Sequence, residues 1–207
     1  VYVDSAHTTR SEDALYSKLY DNVEIYTNNS TTWNTGLLSN ITLKNVEMNL
    51  FNSQPSGGGV KYIKADINLN GVDIGLLATH LMYNPDNSST ASYTQYRIAQ
   101  MREMVEVMSD YDNVIMGGDF NTRDLSQIVE AGMQEAGYTF GNGGAFGEFL
   151  TYSRDLEDEA REDADGLKYP YDNVCVRGNK LKLQSFMPLY DCELSDHYPT
   201  ITDIIVG

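Results

Sequence analysis

Asn113-Val114-Ile115-Met116-Gly117-Gly118-Asp119-Phe120-Asn121 is the stretch that decides the fold. A short apolar run closed by glycines reads as a buried strand. Gly117 and Gly118 predict a tight turn after it, leaving Asp119 and Asn121 uncovered on a rim. A carboxylate and a carboxamide two residues apart can orient a water, accept its proton and touch a phosphate oxygen. Taken alone, the same residues fit an ordinary turn equally well, because Gly, Asp and Asn all favour turns.

Working outward towards the N-terminus, Tyr96, Ile98, Met101, Met104, Val105 and Met108 recur at helical spacing, which predicts a helix over 93–108. Val72 to Thr79 is nearly continuously apolar and reads as a central strand running into His80. Asn70-Gly71 before it is a two-residue hairpin signal. Further strands are predicted over 61–69, 46–51, 36–39 and 23–26, and Ser11-Glu12-Asp13 starts a capped helix reaching Leu19. Towards the C-terminus, a helix is expected from Leu125 to Ala136, stopped by Gly137. A Gly-rich stretch over 141–147 and an acidic segment over 155–165 follow, then strands over 172–176, 180–186 and 200–206. Hairpins mixed with strand–helix alternation predict a mixed sheet covered by helices. With no repeat or linker, residues 1–207 read as a single domain.

Three further places carry groups suited to chemistry. His80 ends the apolar strand, so its imidazole is expected at the edge of the core, where a lone His is commonly structural. Asp172 opens an apolar strand, out of place on propensity grounds but well suited to fixing an imidazole's tautomer. In Ser195-Asp196-His197-Tyr198-Pro199 an acid stands beside an imidazole, a pair that suits metal and phosphate binding. The chain holds only three His, and two of them fall at these places.

Composition narrows the partners. A net charge of −16 argues against a basic face gripping long nucleic acid, though bound cations can offset repulsion from a phosphate locally. No apolar run is long enough to span a bilayer. Cys175 and Cys192 show no metal-ligand spacing and read as buried thiols. Few Lys beside many Asn, Tyr, Ser and Thr lean towards a secreted or cell-surface protein.

The order of these features is more specific than any one of them. A strand ending Thr79-His80-Leu81 leads to a helix carrying Arg97 and Gln100, then Gly-Gly-Asp119-Phe-Asn121, Tyr171-Asp172-Asn173-Val174, and Ser-Asp196-His197-Tyr-Pro. That succession resembles the endonuclease/exonuclease/phosphatase superfamily over nearly the whole chain. The resemblance implies a four-layered α/β/β/α sandwich of DNase I type and a Mg²⁺- or Mn²⁺-dependent phosphoesterase. It implies that Asp119 positions or deprotonates the attacking water, Asn121 holds the phosphate and Asp196 binds the metal. His197 would stand at the scissile phosphate, oriented by Asp172, with His80 as the second histidine.

One feature of the pattern differs. Family members open with an Asn-bearing strand and a second strand ending in Gln-Glu, whose Glu binds the metal. The segment Val3 to Ser11 resembles the stretch after that Glu in many bacterial members, which puts Val1 and Tyr2 where Gln and Glu belong. The domain is therefore expected to be N-terminally incomplete, with that Glu truncated or lost, and with two strands unpaired at the centre of one sheet. Such an edge invites self-association or a partner segment. The expected substrate is a phosphate ester: a small molecule, a lipid head group or nucleic acid. The alternative is a catalytically impaired member acting as a binding module.

Overall fold

The computed structural model describes residues 18–26, 35–56, 58–83, 90–143, 149–152, 170–191 and 197–207. Its elements in chain order are β1 (Asn22–Tyr26), β2 (Thr35–Ser39), β3 (Lys44–Leu50), β4 (Lys61–Leu69), β5 (Val72–His80), α1 (Thr90–Val107), β6 (Val114–Asp119), α2 (Leu125–Glu130), β7 (Thr139–Phe140), β8 (Asp172–Arg177), β9 (Leu181–Pro188) and β10 (Thr200–Val206). Every expected strand within these residues forms, with ends shifted by at most two residues except at β6, which runs three residues past Met116 to Asp119. The two-residue β7 carries no pattern long enough to predict it.

The central sheet has six strands in the order β3-β4-β5-β6-β8-β7. All its pairs are antiparallel except β5 with β6. A parallel pair needs a crossover, and α1 supplies it. Two hairpins, β1–β2 and β9–β10, form separate two-stranded sheets.

Strand alternation divides the core in two. On one face Leu77, Met116 and Cys175 pack with Ile98, Met101 and Met104 of α1 and Ile128 of α2. On the other face Ile63, Ala65, Leu76, Ala78 and Val176 pack with Leu37 of β2 and Leu181 of β9. Helices, six-stranded sheet and hairpins thus make three successive layers of the expected sandwich. The helix expected from Ser11, which would belong to the fourth, lies outside the described residues except for Lys18 and Leu19.

Two local expectations need correction. The second helix stops at Glu130, not Ala136, because Met133 N bonds to Ile128 O at 3.3 Å and Gly132 N to Val129 O at 2.9 Å. That bonding pattern is a Schellman turn, which satisfies the last carbonyls well before Gly137. Gly117 and Gly118 do not turn the chain either: both lie within β6, which continues to Asp119. Gly118 is required by proximity, since its φ is +142° and an added Cβ would meet Thr79 O of β5 at 1.8 Å.

Candidate active site

The sheet register assembles the site. His80 of β5 pairs with Asp119 of β6, and Asp119 pairs with Asp172 of β8. By alternation these three residues follow Ala78, Gly117 and Val174 on the face towards the hairpins. They form a polar row where the apolar packing between the sheets ends. A residue's place in its strand therefore decides its chemistry here: two positions further in, the same face is core.

Asp119 is the hub, only 3% exposed. Its Oδ1 accepts a bond from Asn121 N at 2.7 Å. Asn121 adopts a φ of +49°, a left-handed conformation that Asn tolerates, and this folds the loop back over the carboxylate. The other oxygen, Oδ2, faces both imidazoles: His80 Nε2 at 3.4 Å and His197 Nε2 at 3.7 Å. These are appositions rather than tight hydrogen bonds, as is common in ligand-free catalytic sites.

Behind His197, Asp172 Oδ2 lies 2.7 Å from Nδ1. The ring therefore presents an Nδ1–H to Asp172 and turns Nε2 towards Asp119. The Asp172 side chain is largely buried, with about 20% of it meeting solvent. Burial pushes its carboxyl upward, the hydrogen bond to His197 pulls it back, and the Asp119 charge raises it further.

The mount for His197 comes from a stretch the sequence reading passed over. Thr151, fully buried, accepts Asp172 N on its hydroxyl at 2.9 Å and Tyr198 N on its carbonyl at 2.8 Å. Tyr152 makes an isolated β-bridge to His197 and sets its ring edge-on to the imidazole at 4.8 Å. Nothing around 151–152 is periodic or charged, so no sequence signal marks them. Lys61 was also missed. It is 2% exposed at the start of β4, next to the Tyr62–Thr79 pair, so it stands one strand from His80 in the same row. Its signal was legible: a charge on the face of β4 that otherwise carries Ile63, Ala65 and Ile67.

Asn121, expected to hold a phosphate, donates its side-chain amide to Leu81 O at 2.9 Å. Asp196, the expected metal ligand, lies outside the described residues, as do Cys192 and the acidic segment. Cys175 is a buried free thiol whose pKa burial drives upward. Asp119, Asp172 and His197 offer ligand atoms within 4.8 Å of one another. Two carboxylates suit a hard divalent cation, but Asp172 and His197 are already bonded to each other. The residues thus fit a cation held chiefly through the Asp119 side of the cluster.

No protein-family model and no curated protein matches the sequence. Solved structures do match. D. rerio TDP2 complexed with single strand DNA product aligns with a TM-score of 0.70 and 16% identity over 96% of this chain and 83% of that one. The endonuclease/exonuclease/phosphatase from Bacteroides vulgatus gives 0.64 and 14% over 99% and 83%. A variant of the 3′ phosphatase NExo from Neisseria, bound to product DNA hairpin, gives 0.63 and 16% over 95% and 85%. With the polar row at one end of its central sheet, the chain has the DNase I-like fold of the endonuclease/exonuclease/phosphatase proteins.

Proposed function

We propose that the chain is a divalent-cation-dependent phosphoesterase, hydrolysing a phosphodiester or phosphomonoester by in-line attack of an activated water. The observation that carries this reading is the convergence of two imidazoles on one buried carboxylate, with a second carboxylate behind one of them. Asp119 orients the water and takes its proton. His197, its tautomer held by Asp172, stands at the scissile phosphate, and His80 meets the phosphate or leaving group from the other side. As the new P–O bond forms, the bond to the leaving oxygen breaks and that oxygen takes up a proton. Asn121 holds a phosphate oxygen once its amide swings from Leu81 O. Asp196, next to His197 in sequence, joins Asp119 as a ligand for Mg²⁺ or Mn²⁺. The cation, when bound, polarises the phosphoryl oxygens and offsets their charge.

The substrate is drawn from nucleic-acid ends, lipid head groups and small phosphorylated molecules. Two structurally similar proteins carry DNA product, while a net charge of −16 opposes a long polyanion. A short or terminal phosphoester satisfies both. The test is hydrolysis of bis(p-nitrophenyl) phosphate with Mg²⁺ or Mn²⁺. We expect metal-dependent turnover that His197→Ala lowers by about 10²–10⁴-fold. Absence of metal-dependent hydrolysis would sink the enzyme reading.

A second reading, a binding module that associates with itself or with a partner segment, draws on the hairpins. Among the described residues, β1–β2 and β9–β10 are not joined into one sheet, so strand edges remain for pairing. Concentration-dependent sedimentation without hydrolysis would favour it.

A further inference from the structure

The segment that carries His80 leaves the sheet at Leu81 and Met82, and all four backbone polar groups of those two residues are held. Leu81 N bonds to Asp119 O at 2.8 Å, and Leu81 O accepts the Asn121 amide at 2.9 Å. Met82 N donates to Gln100 Oε1 at 3.0 Å, and Met82 O accepts Arg97 Nη1 at 3.2 Å. Two residues of α1, three apart and so on one face, thus grip both sides of one peptide residue. Both are buried, Gln100 at 0% exposure and Arg97 at 5%. Gln100 is itself fixed, donating to Ser53 O at 2.8 Å, and Arg97 donates through Nε to Gln127 at 3.1 Å.

A buried guanidinium is normally matched by a carboxylate. Among the described residues no carboxylate lies within ion-pair distance of Arg97, whose donors go to a backbone carbonyl, a Gln and a Thr. Burial lowers its pKa, while Tyr171, Asp119 and Asp124 pull the other way, which places its charge within electrostatic reach of the site's hub.

We infer that Arg97 and Gln100 are positioning residues: they clamp Met82 so that the His80 imidazole is set against Asp119 before substrate arrives. The inference rests on the phosphoesterase reading for its effect on turnover, but not for its effect on His80.

The test uses Gln100→Leu, which removes both hydrogen bonds at similar volume. It should lower kcat for bis(p-nitrophenyl) phosphate by about 10²-fold, the cost of roughly 1 Å of misplacement, with KM within about twofold. The readout that separates positioning from mere support is NMR of the imidazole C–H groups, simple in a chain of three His. His80 should shift or broaden while His197 stays in place. Arg97→Lys, which keeps the charge and loses the bond to Gln127, should move the same signal with a smaller loss of kcat, and it carries the test if Gln100→Leu does not fold. Glu103→Gln is the control: Glu103 tethers Asn52 from the same helix at 3.0 Å without touching Met82, and should change neither reading. A wild type without hydrolysis overturns the phosphoesterase reading alone, because the His80 signal still decides the clamp. An unmoved His80 signal in folded Gln100→Leu or Arg97→Lys overturns the clamp itself.

Discussion

The two ends of β5 and β6 are both lined with polar side chains, and they put them to opposite uses. At the end where β6 begins, Asn113, Arg177 and Tyr111 are each tied down by hydrogen bonds. Asn113 accepts Lys180 N at 3.2 Å, Arg177 donates to Met108 O at 2.7 Å, and Tyr111 donates to Asp66. At the end where β6 finishes, Asp119 points one oxygen at two imidazoles, neither at close hydrogen-bond distance. A cavity of about 660 Å³ lies at the first end, lined by residues including Asp73, Tyr111, Asp112 and Lys180. What marks the proposed site is one buried carboxylate facing two imidazoles beyond close hydrogen-bond distance.

The comparison breaks first at its two carboxylates. Asp119→Asn should lower metal-dependent hydrolysis by about 10³-fold, within the range for a lost acid–base group. Asp73→Asn, bordering the cavity, should change it by less than about twofold, as expected of a surface substitution. Steady-state kinetics on both variants decides the matter, and equal losses would erase the distinction between the ends.

Glycines give the next contrast. Gly118→Ala sets a Cβ 1.8 Å from Thr79 O at a φ of +142°, so the site end must distort; we expect a loss of about 3 kcal/mol or more in denaturant unfolding. Gly71→Ala at the hairpin tip has a φ of +85° with nothing within 4 Å, so only the left-handed backbone term of about 1 kcal/mol applies. Comparable losses would mean that the approach of β6 to β5 at Thr79 is softer than its geometry implies.

These contrasts also show what the sequence could reveal. Strand spans such as 61–69 and 200–206 were legible because alternation and turn residues act locally. His80 and Asp172 were legible as candidates because each bounds an apolar strand, Asp119 because it follows two glycines after one, and His197 because it stands beside Asp196. That they form one group was not legible from any single motif, since it depends on the β5–β6–β8 register, a long-range property. The role of Gly118 was misread for the same reason: the obstacle it avoids belongs to another strand. Thr151 and Tyr152 were invisible because their work is done through backbone bonds and ring packing that leave no periodicity.

Asp172→Asn sharpens the comparison within the site. It keeps the side chain's volume but removes the charge that holds the His197 tautomer. Hydrolysis should fall by about 10–100-fold, the usual effect of losing a group that orients a catalytic one. Binding of product phosphate should change little, measured by product inhibition. A larger fall, matching Asp119→Asn, would make Asp172 a direct participant in the reaction.

Tyr111→Phe is the smallest and most exacting test, because it should do almost nothing to catalysis. The Tyr111 hydroxyl donates to Asp66 Oδ1 at 2.5 Å, and Asn45 donates to the other oxygen at 2.6 Å. Burial pushes the phenol's pKa well up, with the Asp66 bond and charge adding to the rise. A raised phenol pKa means that the unfolded chain ionises first, so the wild type loses stability as pH rises above about 10. Removing the hydroxyl should cost about 1 kcal/mol at neutral pH, since Asp66 keeps its bond to Asn45. The variant should also lose less stability than the wild type as pH rises past that point, measured by unfolding at both pH values. Turnover should remain unchanged, because Tyr111 sits at the opposite end of β6 from Asp119. A tenfold drop in turnover would show that the two ends are coupled through β5 and β6, and the division of labour between them would have to be abandoned.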